Sequence, residues 1–251
     1  MKNHISLIIL FFMFASCQQE TVEFKADSLA DYFPLQVGKS STYRLDSTVF
    51  VKSGSVVEIH RYQVRHTVVK ETVDNANRKT FIVQRFINNE FGTGVWQSDG
   101  TFMITPTDKS IEVVDNNLRV TVLQAPLKSD FEWKGNSKLS FAPYAQLFEM
   151  GAGNDMNKWN FIYTGFGNET YEGQQYLDVW TVEQNNETLN IPPTTGTQYG
   201  SKEVSIEKYA KGVGLVFKDF QLYEYQRGNA DSGNTPYYIG FGITMWMISH
   251  N

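Results

Sequence analysis

Apolar and polar side chains alternate along much of this chain, and this alternation limits the folds open to it. In residues 42–51 the apolar side chains at 43, 45, 49 and 51 are all at odd-numbered positions. Residues 61–68 repeat this alternation after a turn at 52–55. A period of two places successive side chains on opposite faces of an extended strand. The two runs therefore predict a β-hairpin.

Similar runs continue to the end of the chain and indicate further strands. They cover residues 80–87, 95–97, 101–105, 111–114, 118–123, 159–164, 176–183, 204–210, 214–225 and 237–248. Only residues 143–150 favour a helix, and that helix is short. Many strands left as an open sheet would expose long edges. We therefore expect a single β-rich domain over residues 32–251. Its antiparallel sheet should close as a split barrel or sandwich, with at most one or two short helices.

The first residues have the organisation of an export signal. Lys2 precedes an apolar run over residues 5–14, and two small residues then lead into Cys17, the only cysteine in the sequence. The run is shorter than the roughly 18–20 residues that cross a bilayer as a helix, so a cleaved signal explains it better than a membrane span. The segment resembles the lipobox of bacterial lipoprotein signals, with Phe14 at the position where an aliphatic residue is usual.

The lipobox resemblance implies that residues 1–16 are a signal peptide and that Cys17 is lipidated. Two acyl chains suffice for stable anchoring, so the protein would contact the membrane through its lipid anchor. The polar residues 17–31 would then form a flexible tether. The alternative is an ordinary secretory leader that happens to precede a cysteine, but an ordinary cleavage site needs no cysteine.

The charge balance excludes one class of partner. Removing residues 1–16 takes away Lys2 alone among the charged residues, so 22 basic and 27 acidic residues become 21 and 27, a net charge of −6. A mildly acidic domain has no electrostatic attraction for nucleic acid. With Cys17 acylated, no cysteine remains for a disulfide or for a metal site.

No local motif for catalysis, cofactor binding or metal binding is present in the sequence. His66 shares an apolar strand face, which favours a structural imidazole, and His250 lies beside the chain end. Glu112, Glu203 and Glu207 stand apart on predicted strands, and we interpret them as outward, solvated carboxylates. A catalytic pair assembled from distant strands would leave no local signal. We assign no catalytic residue, cofactor or metal ligand, and we expect a non-catalytic domain.

Aromatic residues are abundant, at 14% of the chain. Trp180 and Trp246 lie inside apolar strand runs, where packing in the core is the usual role. Trp96 and Trp133 lie near turns and beside glycines, so they are our candidates for a ligand-binding surface. Packing against the core is the alternative for both.

Three segments together resemble uncharacterised lipoproteins of Bacteroidota: the leader ending at Cys17, residues 32–43, and residues 209–216. Those proteins open their domain with a Phe-Pro-Leu-x-x-Gly segment and a Trp-x-Tyr strand, and Ser41 stands here at the tryptophan position. The shared motifs are structural and bring no catalytic residue with them. The resemblance implies an outer-membrane lipoprotein on the periplasmic or cell-surface face, and Gln18 after the cysteine agrees with outer-membrane sorting.

These features leave three functions open. The first is a membrane-anchored envelope domain that binds or scaffolds an envelope partner without catalysis. The second is a surface protein that binds or processes glycans through its aromatic loops. The third is a periplasm-facing carrier that holds a lipid or lipoprotein inside an incomplete barrel. A carrier requires a large apolar cavity, and a close-packed interior would exclude it.

Overall fold

The structure, a computed structural model, describes residues 27–148, 150, 154–195 and 198–251. Within them the strands are β1 (Ser40–Val51), β2 (Val56–Val73), β3 (Lys79–Asn89), β4 (Gln97–Pro106), β5 (Ser110–Asp115), β6 (Leu118–Gln124), β7 (Glu132–Trp133), β8 (Phe161–Tyr171), β9 (Gln174–Leu189), β10 (Gly200–Ala210), β11 (Gly214–Gln226) and β12 (Tyr237–His250). The helices are α1 (Leu29–Tyr32) and α2 (Ala145–Phe148), with a 3₁₀ turn at Met156–Lys158. In these ranges neither helix has the length or apolar character needed to cross a membrane.

The strands form one antiparallel sheet, in the order β6-β5-β4-β3-β2-β1-β12-β11-β10-β9-β8-β7. Each strand except β6 pairs with the next strand along the chain, and β1 and β12 pair in the middle of the sheet. The sheet curls into a nearly closed barrel with one unsealed seam. For the described residues, the prediction of a mainly β domain whose antiparallel sheet closes as a split barrel or sandwich, with at most one or two short helices, is confirmed, and the form observed is the split barrel.

The seam lies between β6 and β7, where single hydrogen bonds replace a strand ladder. The Thr121 N–H donates to the Gly135 carbonyl at 2.9 Å, and the Trp133 indole N–H donates to the Thr121 carbonyl at 2.8 Å. The Tyr163 hydroxyl donates to the Gln124 carbonyl at 2.8 Å and accepts from the Gln124 N–H at 3.0 Å. These bonds satisfy part of the backbone that an open sheet edge would expose.

The alternation seen in the sequence places the core on the concave face of the sheet. Tyr43, Val64 and Met247 lie on the adjacent strands β1, β2 and β12, and each is at most 3% exposed. A larger cluster around Trp133 and Phe161 continues this core towards the seam. Burying each such side chain contributes about 1.5–3 kcal/mol.

The chain enters the barrel through α1, beside the turn between β10 and β11. Tyr32 is fully buried, and its hydroxyl donates to the Asp27 carboxylate at 2.9 Å. The Gly212 N–H donates to the Asp31 carbonyl at 2.6 Å. Residues 27–31 of the predicted tether therefore contact the barrel. Residues 1–26, with the predicted signal peptide and Cys17, lie outside the described residues, so the proposed domain boundaries stay a prediction.

The residues after β7 cross to the interior side of the barrel. Within them α2 forms inside the range 143–150, where the sequence predicts a short helix. The ring of Phe148 stacks on Phe241 at a centroid distance of 4.4 Å, and Tyr144 meets Phe241 at 5.2 Å and Phe220 at 6.0 Å. These contacts hold α2 against β11 and β12.

Candidate ligand-binding cavity

A cavity of about 660 Å³ lies inside the barrel and is partly open to solvent. Its wall is mostly apolar and comes from two sources. The sheet contributes side chains such as Leu45, Val113 and Ile243, while the residues after β7 contribute Tyr144 and Phe148. The volume falls in the range of roughly 300–1,000 Å³ that is typical of small-molecule sites.

The period of two decides which side chains reach the cavity. On β1, Leu45, Ser47 and Val49 line it, whereas the intervening Asp46 and Thr48 do not. Successive side chains of a strand point to opposite faces of the sheet. Ser47 is the smallest of the three, so it leaves the most room in this part of the wall.

One polar group on the wall is an ion pair between adjacent strands. The Lys218 ammonium on β11 donates to the Glu207 carboxylate on β10 at 2.9 Å, and the Tyr209 hydroxyl donates to the other carboxylate oxygen at 2.5 Å. Burial by itself lowers the pKa of Lys218, but the charge of Glu207 and its hydrogen bond to Lys218, with smaller contributions from Tyr144 and Asp115, together outweigh burial, and the pKa is raised. Burial and the Glu207 charge also raise the pKa of Tyr209 well above its usual value. Lys218 is therefore held as a cation, and the Tyr209 phenol stays neutral.

A second charged group lies on the wall formed by β3, β4 and β5. The Arg85 guanidinium donates to Asp99 and to Asp115, at 2.8 Å in each case. Burial by itself lowers the pKa of Arg85, but Asp115 and then Asp99 outweigh it, and the pKa is raised. Arg85 is therefore held as a cation whose charge is neutralised by its own carboxylate partners.

His66 lies on β2, which pairs with β3 on one side and β1 on the other. Its ring centroid is 5.2 Å from Tyr43 and 5.1 Å from Phe102. Burial, and then the positive charges of Arg85 and Lys218, lower the pKa of His66 to about 3. The imidazole is therefore neutral near neutral pH, in agreement with the structural role expected from the sequence.

Gln184 on β9 is a further polar side chain of the wall. It is 5% exposed, and the Ser205 hydroxyl donates to its Oε1 at 2.8 Å. Its Nε2 is buried and has no hydrogen-bond partner among the described residues. Native proteins pair most buried amide donors, so an unpaired one needs an explanation.

The charged side chains that line the cavity balance. Lys39, Arg85 and Lys218 supply three positive charges, and Asp99, Asp115 and Glu207 supply three negative charges. In the described ranges no group of three or more His, Cys, Asp or Glu side chains is placed to hold a metal ion. What this arrangement can do chemically is enclose an apolar molecule and offer it a few polar contacts.

Two carboxylates are not where the sequence analysis placed them. Glu112 and Glu207 were interpreted as outward and solvated, and this is wrong, because they are 5% and 4% exposed. Glu112 pairs with Arg119 at 2.7 Å and Arg78 at 3.0 Å, with Lys138 on its other oxygen. Such burial is stable only because the charges are paired.

A signal for the Glu207 pair did exist in the sequence. Glu207 lies directly opposite Lys218 in the β10–β11 register, so the two opposite charges flank the same hairpin turn. Pairing the strands about that turn would have suggested the contact. Arg119 lies across the β5–β6 hairpin from Glu112, but Arg78 and Lys138 come from separate segments that no local pattern connects with Glu112.

The two tryptophan candidates occupy different environments. Trp96 is half-buried, and the Arg65 guanidinium lies 4.2 Å from the centre of its ring. Trp133 is 5% exposed, and its ring packs against Tyr163 at 4.7 Å and Phe161 at 5.6 Å. The geometry favours the packing alternative for Trp133, and the structure does not bring the two tryptophans into one site. Ligand binding at either residue stays a prediction.

Comparisons with known proteins leave the function open. No protein-family model matches the chain, and no curated protein sequence does. Among solved structures, the chain is similar to a Bacteroides fragilis protein with a YmcC-like fold, for which export has been proposed. The two are 9% identical with a TM-score of 0.39, and the match covers 85% of this chain and 97% of the other. A similarity this distant assigns neither function nor location to the chain, so the lipobox and the family resemblance stay predictions.

Proposed function

We propose that this protein is an envelope protein that carries the apolar part of a lipid inside its barrel. The observation that supports the proposal is the partly open, mainly apolar cavity of about 660 Å³. Moving an alkyl chain from water into such a cavity is favourable by about 25 cal/mol per Å² of apolar surface buried. The wall is built on paired strands, so the site is largely preformed and little ordering opposes binding.

The location in the envelope is part of the same proposal. We base it on the leader, in which Lys2, the short apolar run and Cys17 resemble a lipoprotein signal. Acylation of Cys17 would hold the barrel at the outer membrane, within reach of lipid. A tethered carrier of this kind could accept a lipid from one envelope component and pass it to another.

The carrier function can be tested by analysing the lipids that co-purify with the protein. The full-length chain would be expressed with its leader, purified in detergent and extracted with organic solvent for mass spectrometry. Ser47→Phe places a large ring in the cavity, whereas Thr48→Phe places the same ring on the neighbouring residue that does not line it. Circular dichroism and thermal unfolding would confirm that both variants fold.

The two variants should differ in lipid content if the cavity is the binding site. We expect the wild type and Thr48→Phe to retain about one lipid per protein above the detergent background, and Ser47→Phe to lose it. Equal lipid content in all three folded proteins would contradict the proposal. No lipid above background in the wild type would also contradict it.

The anchor requires a separate experiment. Mass spectrometry of the mature protein should find Cys17 as the first residue, carrying acyl chains, and membrane fractionation should find Cys17→Ala released from the membrane. An unmodified thiol, or membrane retention that is unchanged in Cys17→Ala, would remove the anchor from the proposal and leave the barrel function to be judged on its own test.

A further inference from the structure

The cavity wall carries a buried hydrogen-bond donor with which no described residue pairs. The side-chain nitrogen of Gln184 has no partner among the described residues, while its oxygen is already occupied by the Ser205 hydroxyl. Gln184 is 5% exposed and Ser205 is 0% exposed, so water has little access to the unpaired donor. A buried donor left unpaired is costly, and a ligand that offers an acceptor at this position removes the cost.

The charges around the cavity argue against an ionised headgroup. Lys218 is neutralised by Glu207, and Arg85 by Asp99 and Asp115. A carboxylate brought in beside Gln184 would be a buried charge without a free cation next to it, which is strongly unfavourable. A neutral carbonyl carries no such penalty and accepts the same hydrogen bond.

Lys39 is the remaining cation of the wall, and it lies far from Gln184. Its ammonium donates to the Gly212 carbonyl at 3.3 Å, in the turn between β10 and β11. Ser205, the partner of Gln184, lies five residues before the end of β10 at Ala210, which corresponds to roughly 16 Å of strand. Lys39 therefore cannot neutralise a headgroup that is bound at Gln184.

We infer that the cavity takes a neutral lipid whose ester or amide carbonyl accepts a hydrogen bond from Gln184, and that it discriminates against free fatty acids. The inference rests on the proposed carrier function and adds the chemical class of the ligand. An acyl ester or acyl amide suits this cavity, because its chain contacts the apolar side chains and its carbonyl accepts from the Gln184 nitrogen, which has no partner among the described residues.

Photo-crosslinking with a matched pair of probes tests this inference on the full-length chain, purified into an amphipol. The probes are a diazirine-bearing monoacylglycerol and the free fatty acid with the same chain and the same diazirine, at about pH 8, where the free acid is ionised. Peptide mass spectrometry locates the crosslinks. Gln184→Met is nearly isosteric and removes the donor, and Gln175→Met makes the same change at an exposed position on the same strand.

We expect the monoacylglycerol to label the inner wall at about fivefold to tenfold lower concentration than the fatty acid, because its carbonyl gains a buried hydrogen bond to Gln184 that the ionised carboxylate, kept away from this position by the cost of burying its charge, does not make. Gln184→Met should reduce monoacylglycerol labelling by about the same factor and leave fatty-acid labelling unchanged. Gln175→Met should change neither. Gln184→Met also leaves the buried Ser205 hydroxyl without its acceptor, so thermal unfolding of both variants is measured alongside to confirm that they fold.

The outcomes separate the inference from the function on which it rests. If neither probe labels the inner wall, the carrier function itself fails. If both probes label it equally well, or if Gln184→Met behaves as Gln175→Met does, the barrel carries lipid but the inference about the carbonyl group is overturned.

Discussion

The ammonium of Lys218 lies 2.9 Å from a carboxylate oxygen of Glu207, directly across the β10–β11 ladder and on the wall of the cavity. The Glu207 side chain is 5% exposed, so its charge depends on this one cation and on the Tyr209 hydroxyl. The pair places an ionic interaction on a cavity wall that is mostly apolar.

Removing one partner of the Lys218–Glu207 pair should destabilise the protein. Lys218→Met leaves the Glu207 carboxylate buried without a cation, and we expect a loss of about 3–5 kcal/mol in the free energy of unfolding. Urea denaturation followed by circular dichroism measures the change. The double variant Lys218→Met/Glu207→Gln removes both charges and should recover most of the loss, since a neutral pair needs no compensation.

A surface pair serves as the control for that experiment. Lys79 lies 2.9 Å from Glu71, and both side chains are at least half exposed. Lys79→Met should therefore cost less than about 1 kcal/mol. Equal losses for Lys218→Met and Lys79→Met would show that the cavity wall is solvated and that the Glu207 carboxylate needs no partner.

His66 should make the protein less stable in mild acid. Its folded pKa of about 3 lies below the ordinary value of 6.5, so the unfolded state binds the proton more tightly. The stability associated with the neutral imidazole is complete above about pH 6.5 and is lost as the pH falls from there towards 3. Between pH 7 and pH 5 we expect the wild type to lose about 1–2 kcal/mol more than His66→Phe, measured by urea denaturation at each pH. His60→Gln, at an exposed position, should follow the wild type.

Glu203 should have the opposite dependence on pH. Burial, followed by the negative charges of Glu187, Glu224 and Asp155, raises the pKa of Glu203 from 4.5 to about 7. The folded state binds this proton more tightly, so its stabilising contribution is complete below about pH 4.5 and is lost as the pH rises through 7. Glu203→Gln should therefore be more stable than the wild type at pH 8 by about 1–2 kcal/mol, with the difference shrinking towards pH 5.

A matched variant at an exposed carboxylate controls the Glu203 experiment. Glu90 is exposed at the end of the β3 hairpin, and Glu90→Gln should change stability by less than about 0.5 kcal/mol at either pH. Thermal unfolding at the two pH values would measure both variants. A Glu203→Gln advantage of the same size at pH 5 and pH 8 would argue against a raised pKa.

Gly54 should tolerate a methyl group less well than another glycine with a similar backbone angle. Gly54 has φ +82°, and a Cβ there would overlap the carbonyl oxygen of Tyr238 on β12. Gly173 has φ +80°, and nothing lies within 4 Å of its added Cβ. We expect Gly173→Ala to cost about 1 kcal/mol through its left-handed backbone alone, and Gly54→Ala to cost about 1–3 kcal/mol more through the clash. Chemical denaturation measures both, and equal costs would mean that the turn can move away from β12.

Local periodicity was enough to predict most of the strands. The alternation around Tyr43 and Leu45 predicted the first hairpin, which the structure places at Ser40–Val51 and Val56–Val73. The last apolar face, residues 237–248, predicted β12 at Tyr237–His250 almost to its bounds. Such patterns are informative because one buried face imposes a period of two on every strand that contributes to it.

The wall of the cavity could not be obtained in the same way. Glu207 and Arg85 look like outward charges when each strand is considered alone, because charged residues are usually solvated. They point inward here, where Lys218 compensates one and Asp99 and Asp115 compensate the other. Each buried charge is compensated by an opposite charge on a different strand, so these pairs can be identified only when the register of the strands is known.

The sequence by itself determined the mainly β class, the antiparallel hairpins and the side of each strand that carries the core, because these follow from the spacing of neighbouring residues. Only the tertiary structure decided that the sheet closes as a barrel with a seam beside Trp133, that its interior holds a cavity, and that the side-chain nitrogen of Gln184 has no partner in the described part of the chain. Those features depend on how distant strands meet and on the volume that their side chains leave between them, and neither is encoded in a local period.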